Sequence, residues 1–239
     1  MSEILTIKDL SISFGGTKAV QHLSFNVNEG EILGMIGPNG SGKSTTINLI
    51  TGVYKMDSGE IFFDGKPITN KMDVKDRARM GLGRTFQTPK PFGHMTVYDN
   101  ILAIALQKYN FKEARVHTEE ILKITELNSV RDLLGAKLPI EQRKWLDFAR
   151  TLATEPKLVM MDEALSGLNI TEMNESVEMI RRINKELNLT IIFIEHVMKA
   201  IVSLCDRVLV LNEGTWLAEG KPEEILAKSE VIQAYIGGE

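Results

Sequence analysis

The stretch Gly37-Pro38-Asn39-Gly40-Ser41-Gly42-Lys43-Ser44-Thr45 constrains this chain more than any other. It fits the pattern G-x-x-x-x-G-K-[ST]. The apolar run Glu31-Ile32-Leu33-Gly34-Met35-Ile36 before it reads as a buried strand, and a helix over about Lys43–Thr51 follows. Glycines let the backbone curl so that its N–H groups converge on phosphate oxygens. The start of the helix adds free N–H groups and a positive dipole end. In such a loop Lys43 reaches the β and γ phosphates, and the Ser44 hydroxyl ligates Mg²⁺. The expected cofactors are ATP and Mg²⁺. A glycine-rich turn that binds nothing is the competing reading, and the Lys-Ser pair in a strand–loop–helix context outweighs it.

A second signal lies downstream. Leu158-Val159-Met160-Met161 is apolar and ends in Asp162-Glu163. A buried parallel strand that ends in carboxylates delivers them to the edge where open α/β sheets bind their ligands. Asp162 is expected to orient Mg²⁺, and Glu163 to polarise an attacking water as general base. Alone this pattern is weak. With the phosphate loop upstream it gains force.

Around these motifs, Ile4–Leu10, Ser11–Phe14, Ser24–Val27 and Glu60–Phe63 read as strands, the last closing at the Asp64-Gly65 turn. About 99–133 is helical by pattern. Core strands return at Leu158–Met161, Thr190–Ile194 and Arg207–Leu211, with helices at Ile170–Leu187 and His196–Leu204 between them. Alternating strands and helices imply a parallel sheet covered on both faces. The fold expected is α/β: a phosphate-loop core with a parallel sheet, an N-terminal antiparallel β layer and a helical subdomain. Its 239 residues suit one domain, 1–239, with the helical subdomain inserted at about 88–155. The net charge of −4 speaks against nucleic acid as a partner. Met1-Ser2-Glu3-Ile4 lacks the basic start and apolar core of a signal peptide, and no run of about 18 apolar residues could span a bilayer. The lone Cys205 cannot form an intrachain disulfide and reads as buried filler.

With these motifs in place the chain resembles the ABC transporter ATPase family over nearly its whole length. The resemblance implies roles for further residues. Phe14, 29 positions before Lys43, matches the aromatic that stacks on adenine. Gln87, in Thr85-Phe86-Gln87, is similar to the glutamine that touches Mg²⁺ and the water. Its loop meets the membrane subunit. Ser166-Gly167-Leu168-Asn169 resembles the loop that crosses the dimer interface, and His196 the switch histidine on the γ-phosphate. Within the family, Phe14-Gly15-Gly16, Asn169 and the tail Ala234-Tyr235-Ile236-Gly237 look most like the ATPases of branched-chain amino acid importers. That implies permease subunits, a second ATPase subunit, an indirect link to a solute-binding protein, and a peripheral place on the cytoplasmic face of the cell membrane. A nucleotide-gated dimerising module with weak hydrolysis is the alternative function.

One segment departs from the family. Where it reads L-S-G-G-Q, this chain has Leu138-Pro139-Ile140-Glu141-Gln142. That segment normally grips the γ-phosphate held by the opposite protomer. Pro139 removes a hydroxyl and an N–H. Glu141 adds a charge that, about 4–6 Å from a phosphate at an effective dielectric near 20, repels it by roughly 3–4 kcal/mol. This chain's own site keeps its hydrolytic set, so an asymmetric heterodimer with an intact partner is expected. Rescue of a homodimer by Gln142 or Arg143 is the alternative. Ala164, where the family usually has proline, affects loop stiffness more than chemistry.

Overall fold

The structure is a computed structural model that describes residues 2–236; Met1 and the tail residue Gly237 lie outside the described residues. The chain opens with β1 (Glu3–Phe14), continuous where two strands were expected, and β2 (Thr17–Asn28). There follow β3 (Ile32–Ile36), α1 (Lys43–Thr51), β4 (Ser58–Phe63), β5 (Lys66–Ile68), α2 (Val74–Arg79) and β6 (Leu82–Arg84). The middle holds α3 (Val97–Ala105), α4 (Phe111–Ile124) and α5 (Ile140–Leu152). The last part alternates β7 (Leu158–Asp162), α6 (Ile170–Leu187), β8 (Thr190–Ile194), α7 (Met198–Leu204), β9 (Arg207–Asn212) and β10 (Thr215–Gly220). It closes with α8 (Pro222–Leu226) and α9 (Ser229–Ile236).

Two sheets result. One is antiparallel, in the order β2-β1-β4-β5. The other runs β10-β9-β3-β8-β7-β6, parallel except for the β9–β10 hairpin. The parallel strands are buried on both faces, and the period of two sorts their side chains. Leu33, Met35, Leu158, Met160, Ile192, Ile194, Leu209 and Leu211 share a core with the antiparallel layer. Their neighbours in sequence, including Ile36, Val159, Met161, Ile191, Phe193 and Val210, pack into the helical core on the other face. The near-continuous apolar runs in the sequence are thus two half-cores back to back.

Strand order positions the site. Adjacent strands β3, β8, β7 and β6 are parallel, so the segments leaving their C-terminal ends emerge on one edge. Those segments are the phosphate loop, Glu195-His196, Glu163 and Thr85-Phe86-Gln87.

Three local differences from the sequence reading have physical causes. The strand β6, not anticipated, spans three residues with Gly83 at its centre, too short to show a period; it pairs with β7 through Leu82↔Leu158 and Arg84↔Met160. The 99–133 stretch breaks at Asn110, whose side chain caps α4 in a reciprocal box with Glu113. The helix expected from His196 starts at Met198, with Val197 still extended, so His196 sits on the loop after β8. Pro139 occupies the cap position before α5. Cys205 is buried against Gly34, where an added Cβ would come within 2.9 Å of its sulfur. Burial pushes its thiol well above the usual range, which fits filler and not a nucleophile.

Candidate active site

The phosphate loop is held from two sides. The Gly214 N–H in the β9–β10 turn donates to Ser41 O at 3.1 Å, and the Gly214 carbonyl accepts from Gln21 N on β2 at 2.7 Å. Gly37 and Gly42 have φ of +151° and +100°. At each an added Cβ would strike backbone oxygen, Leu211 O at 2.1 Å and Ala19 O at 2.7 Å. These two glycines are therefore required by the packing as well as by the turn. Lys43 is buried and lies back along the loop, donating to Gly37 O at 2.8 Å and Pro38 O at 2.9 Å. Burial lowers the ammonium's pKa, and the nearby Glu163 and Asp162 charges oppose that. Pro38 is half-buried, Asn39, Gly40 and Ser44 are exposed, and Thr45 is half-buried at the start of α1.

The acidic pair divides into two environments. Asp162 is buried at the end of β7. Desolvation raises its pKa, and the Arg84 guanidinium, 3.2 Å from Oδ2, pulls the other way. Glu163 is half-buried. Its backbone sits at φ +51°, a conformation that costs a non-glycine residue about 1–3 kcal/mol. The hydrogen bond from Glu163 N to Ile194 O, 2.9 Å, holds it there. Gln87 Nε2 donates to Glu163 Oε2. His196 Nε2 lies 3.1 Å from Oε1. Gln87, Glu163 and His196, far apart in sequence, thus meet at one carboxylate.

Phe14 is partly exposed at the β1–β2 turn, and its ring lies edge-on to Tyr54 at 5.1 Å. Tyr54 carried no signal in the sequence beyond being an aromatic after α1.

Several residues at the site were missed by sequence reasoning. Arg84 bridges Asp162 and Asn48 Oδ1, the latter at 2.5 Å. Lys144, on the helix after the signature segment, donates to Ser166 O at 2.5 Å, Ser166 Oγ at 3.1 Å and Glu163 O at 3.4 Å. Glu195 is buried, its pKa raised chiefly by burial, and accepts from Leu165 N at 2.6 Å. Its position beside His196 was a signal; Lys144 and Arg84 gave none until their partners were in view. The loop at 165–168 is therefore fastened to α5 by Lys144 and to the end of β8 by Glu195. Asn169 then caps α6 in a reciprocal box with Glu172.

The signature segment is acidic. The Glu141 pKa is raised by burial and by Glu172 and Glu175 on α6. Arg143 is committed elsewhere, donating to Leu138 O and Ala136 O, each at 2.8 Å. Gln142 lines a cleft of about 350 Å³ beside Glu126 and Glu175.

A family model described as ABC transporter matches residues 20–166. The chain belongs to the ABC transporter family. It is 35% identical over 250 residues to the high-affinity branched-chain amino acid transport ATP-binding protein BraF of Pseudomonas aeruginosa, covering 98% of each chain. It is also 35% identical over 250 residues to the corresponding protein LivG of Salmonella typhimurium, again over 98% of each. Among solved structures, the ADP conformation of MJ1267, an ATP-binding cassette of an ABC transporter, superposes with a TM-score of 0.88 at 31% identity, covering 99% of this chain and 100% of that one. This ABC chain is a nucleotide-binding ATPase with the α/β fold of those cassettes. Among its described residues no helix is long and apolar enough to cross a membrane.

Proposed function

We propose that this ABC ATPase powers import of branched-chain amino acids or a related small polar solute, seated on the cytoplasmic face of the membrane against permease subunits. The observation that carries the hydrolytic part is the convergence of Gln87 and His196 on Glu163, beside Asp162 and the Lys43 loop. The solute rests on full-length likeness to BraF and LivG. A solute-binding protein delivers the cargo to the permease and does not touch this chain. The reading takes 1–239 as one domain, with the helical part at about 88–155. Nucleic acid has no part in it.

In this reading Lys43 leaves Gly37 O and Pro38 O for the β and γ phosphates, and the loop N–H groups from Gly37 to Thr45 surround them. Phe14 stacks on adenine. The donor set of Ser44, Gln87 and Asp162, all oxygen donors with one carboxylate among them, suits Mg²⁺, a hard cation held by one or two carboxylates with phosphate and water oxygens. Among the described residues no cluster of three His, Cys, Asp or Glu competes as a transition-metal site. When bound, Mg²⁺ neutralises charge that develops on the phosphates. Glu163 takes the proton of the attacking water, and His196 contacts the γ-phosphate.

The docking surface follows from the loop after Gln87. A groove of about 660 Å³ is lined by Val53, Val74, Phe86, Lys90, Ile104 and Arg150, among others. Phe86 is 57% exposed and Phe92 44%, the latter under the Arg150 guanidinium at 4.4 Å. Phe92 thus packs on a charged neighbour, not into the core. Asn100, fully buried, braces the loop: it accepts from Phe92 N at 2.8 Å and donates to Phe92 O at 3.0 Å and Thr96 O at 2.9 Å. A braced loop with exposed aromatic rings fits an apolar segment of a membrane subunit. Cysteines at Lys90 or His94 are expected to crosslink to a co-expressed permease subunit. Crosslinks confined to a distant face would refute this.

We infer that the second ATPase subunit is a different chain, with a homodimer as the alternative. Pro139 and Glu141 weaken the grip on the phosphate of the opposite protomer, and the Arg143 Nε and Nη2 groups donate to the chain's own loop, which speaks against rescue by Arg143. ATPase activity of the chain alone is expected to be low and to rise at least about tenfold with the co-encoded partner, the size of one lost charged contact. Cooperative hydrolysis by the lone chain at the rate of the pair would reject the heterodimer. Pro139→Ser with Glu141→Gly is expected to raise turnover at the partner's site and leave this chain's own site unchanged.

A further inference from the structure

We propose that Arg84 is a positioning residue that sets the Asp162 carboxylate for Mg²⁺ from the wall of the docking groove. The inference rests on the reading of Asp162 as the Mg²⁺-orienting group.

Arg84 is the last residue of β6, three positions before Gln87. Its side chain is only 15% exposed, and that of Asp162 10%. A buried charge persists in a fold when it is paired and hydrogen-bonded. Arg84 meets that condition through its two terminal nitrogens, although its Nε is buried without a partner. One guanidinium nitrogen donates to Asp162 Oδ2 at 3.2 Å, and the other to Asn48 Oδ1 at 2.5 Å. Asn48 lies on α1, which begins at Lys43. A single planar group therefore ties together the strand that leads to Gln87, the strand that ends in Asp162 and the helix that carries the phosphate loop.

The geometry divides the carboxylate. Arg84 engages Oδ2 and fixes the rotamer, which leaves Oδ1 for the metal or a water on it. Residues that orient a metal's ligands in this way contribute strongly to metal affinity without touching the ion. Lysine is a poor substitute here, because one ammonium lacks the rigid fork that reaches two partners at once. The other side of Arg84 belongs to the groove, where the Phe86 ring lies 5.3 Å from the guanidinium carbon. Arg84 forms part of the wall between the groove and the carboxylate. It is not a catalytic residue, since its partners are protein atoms.

The test is a nucleotide-binding titration, not an activity assay. A fluorescent ATP analogue is bound to the purified full chain at increasing Mg²⁺, in wild type, Arg84→Met, Arg84→Lys and Asn48→Ala. Binding without Mg²⁺ is expected to stay within about twofold of wild type in all four proteins. The Mg²⁺ concentration for half-maximal enhancement is expected to rise about tenfold or more in Arg84→Met, and by less in Arg84→Lys and Asn48→Ala. Should Arg84→Met fail to fold, Asn48→Ala carries the test, because it keeps both charges and loosens only the fork; a shift of about threefold is expected. A Mg²⁺ requirement unchanged in the folded variants overturns the proposal. So does an equal loss of binding with and without Mg²⁺, which marks a general structural support. Wild-type binding that ignores Mg²⁺ overturns the Asp162 reading itself, and a wild type that binds no ATP overturns the nucleotide reading beneath both.

Discussion

Replacing Glu163 by glutamine is expected to lower ATP turnover by about 10²–10⁴-fold, the range for loss of a general base, with nucleotide binding kept within a few-fold. The side chain is held for one task. Its backbone sits at φ +51°, its N–H is tied to Ile194 O, and its two oxygens face Gln87 and His196. Glutamine has nearly the same shape and fits the same place, but its amide does not accept the proton of an attacking water. It also puts one amide against another, so Gln87 or residue 163 must turn to keep a donor on an acceptor. Steady-state phosphate release, measured beside equilibrium nucleotide binding, separates chemistry from affinity. Turnover within twofold of wild type would place the base elsewhere. With a partner that supplies a competent signature segment, the variant is expected to accumulate as a closed ATP-bound dimer, visible by size-exclusion chromatography.

Lys43→Ala is expected to weaken ATP binding by about tenfold to a hundredfold, the scale of a charge-assisted hydrogen bond, and to abolish hydrolysis. Lys43 is 7% exposed and lies beside both Asp162 and Glu163. Its ammonium is the one cation that the phosphate loop itself carries. Without it the γ-phosphate would lose the loop's own positive charge, leaving the N–H groups, Mg²⁺ and His196 to offset the two carboxylates. The readout is the shift in melting temperature that ATP produces, which is expected to shrink sharply in the variant at an ATP concentration that just saturates the wild type. The variant's own melting temperature is a separate observation. Burial lowers the Lys43 pKa, so removing the charge relieves a desolvation cost and leaves Gly37 O and Pro38 O without that donor. Wild-type hydrolysis by Lys43→Ala would refute the assignment of the loop.

What could be read from sequence was local. The phosphate loop is a contiguous run whose glycines answer to backbone sterics and whose lysine follows at fixed spacing. Asp162 and Glu163 are neighbours in the chain, and the apolar run before them is legible because a parallel strand is buried on both faces. The strand β8 and the helix α6 lie at the bounds expected from the sequence. The signature departure at Pro139 and Glu141 was likewise a matter of adjacent residues.

Tertiary structure decided which of these segments meet. Gln87 and Glu163 lie 76 positions apart, and Arg84 and Asp162 78 apart. They touch because β6, β7, β8 and β3 are adjacent and parallel, so their C-terminal ends share one edge. A single sequence carries no record of strand order. An arginine at the end of a three-residue strand looks like any surface cation until the strand beside it is known. Lys144 and Ser166 are in the same position: a helix and a loop whose meeting depends on how α5 packs against the sheet. Local backbone preference is written in residue type and spacing. Convergence of distant side chains is set by the packing of both faces of the parallel sheet, and that exists only in the folded chain.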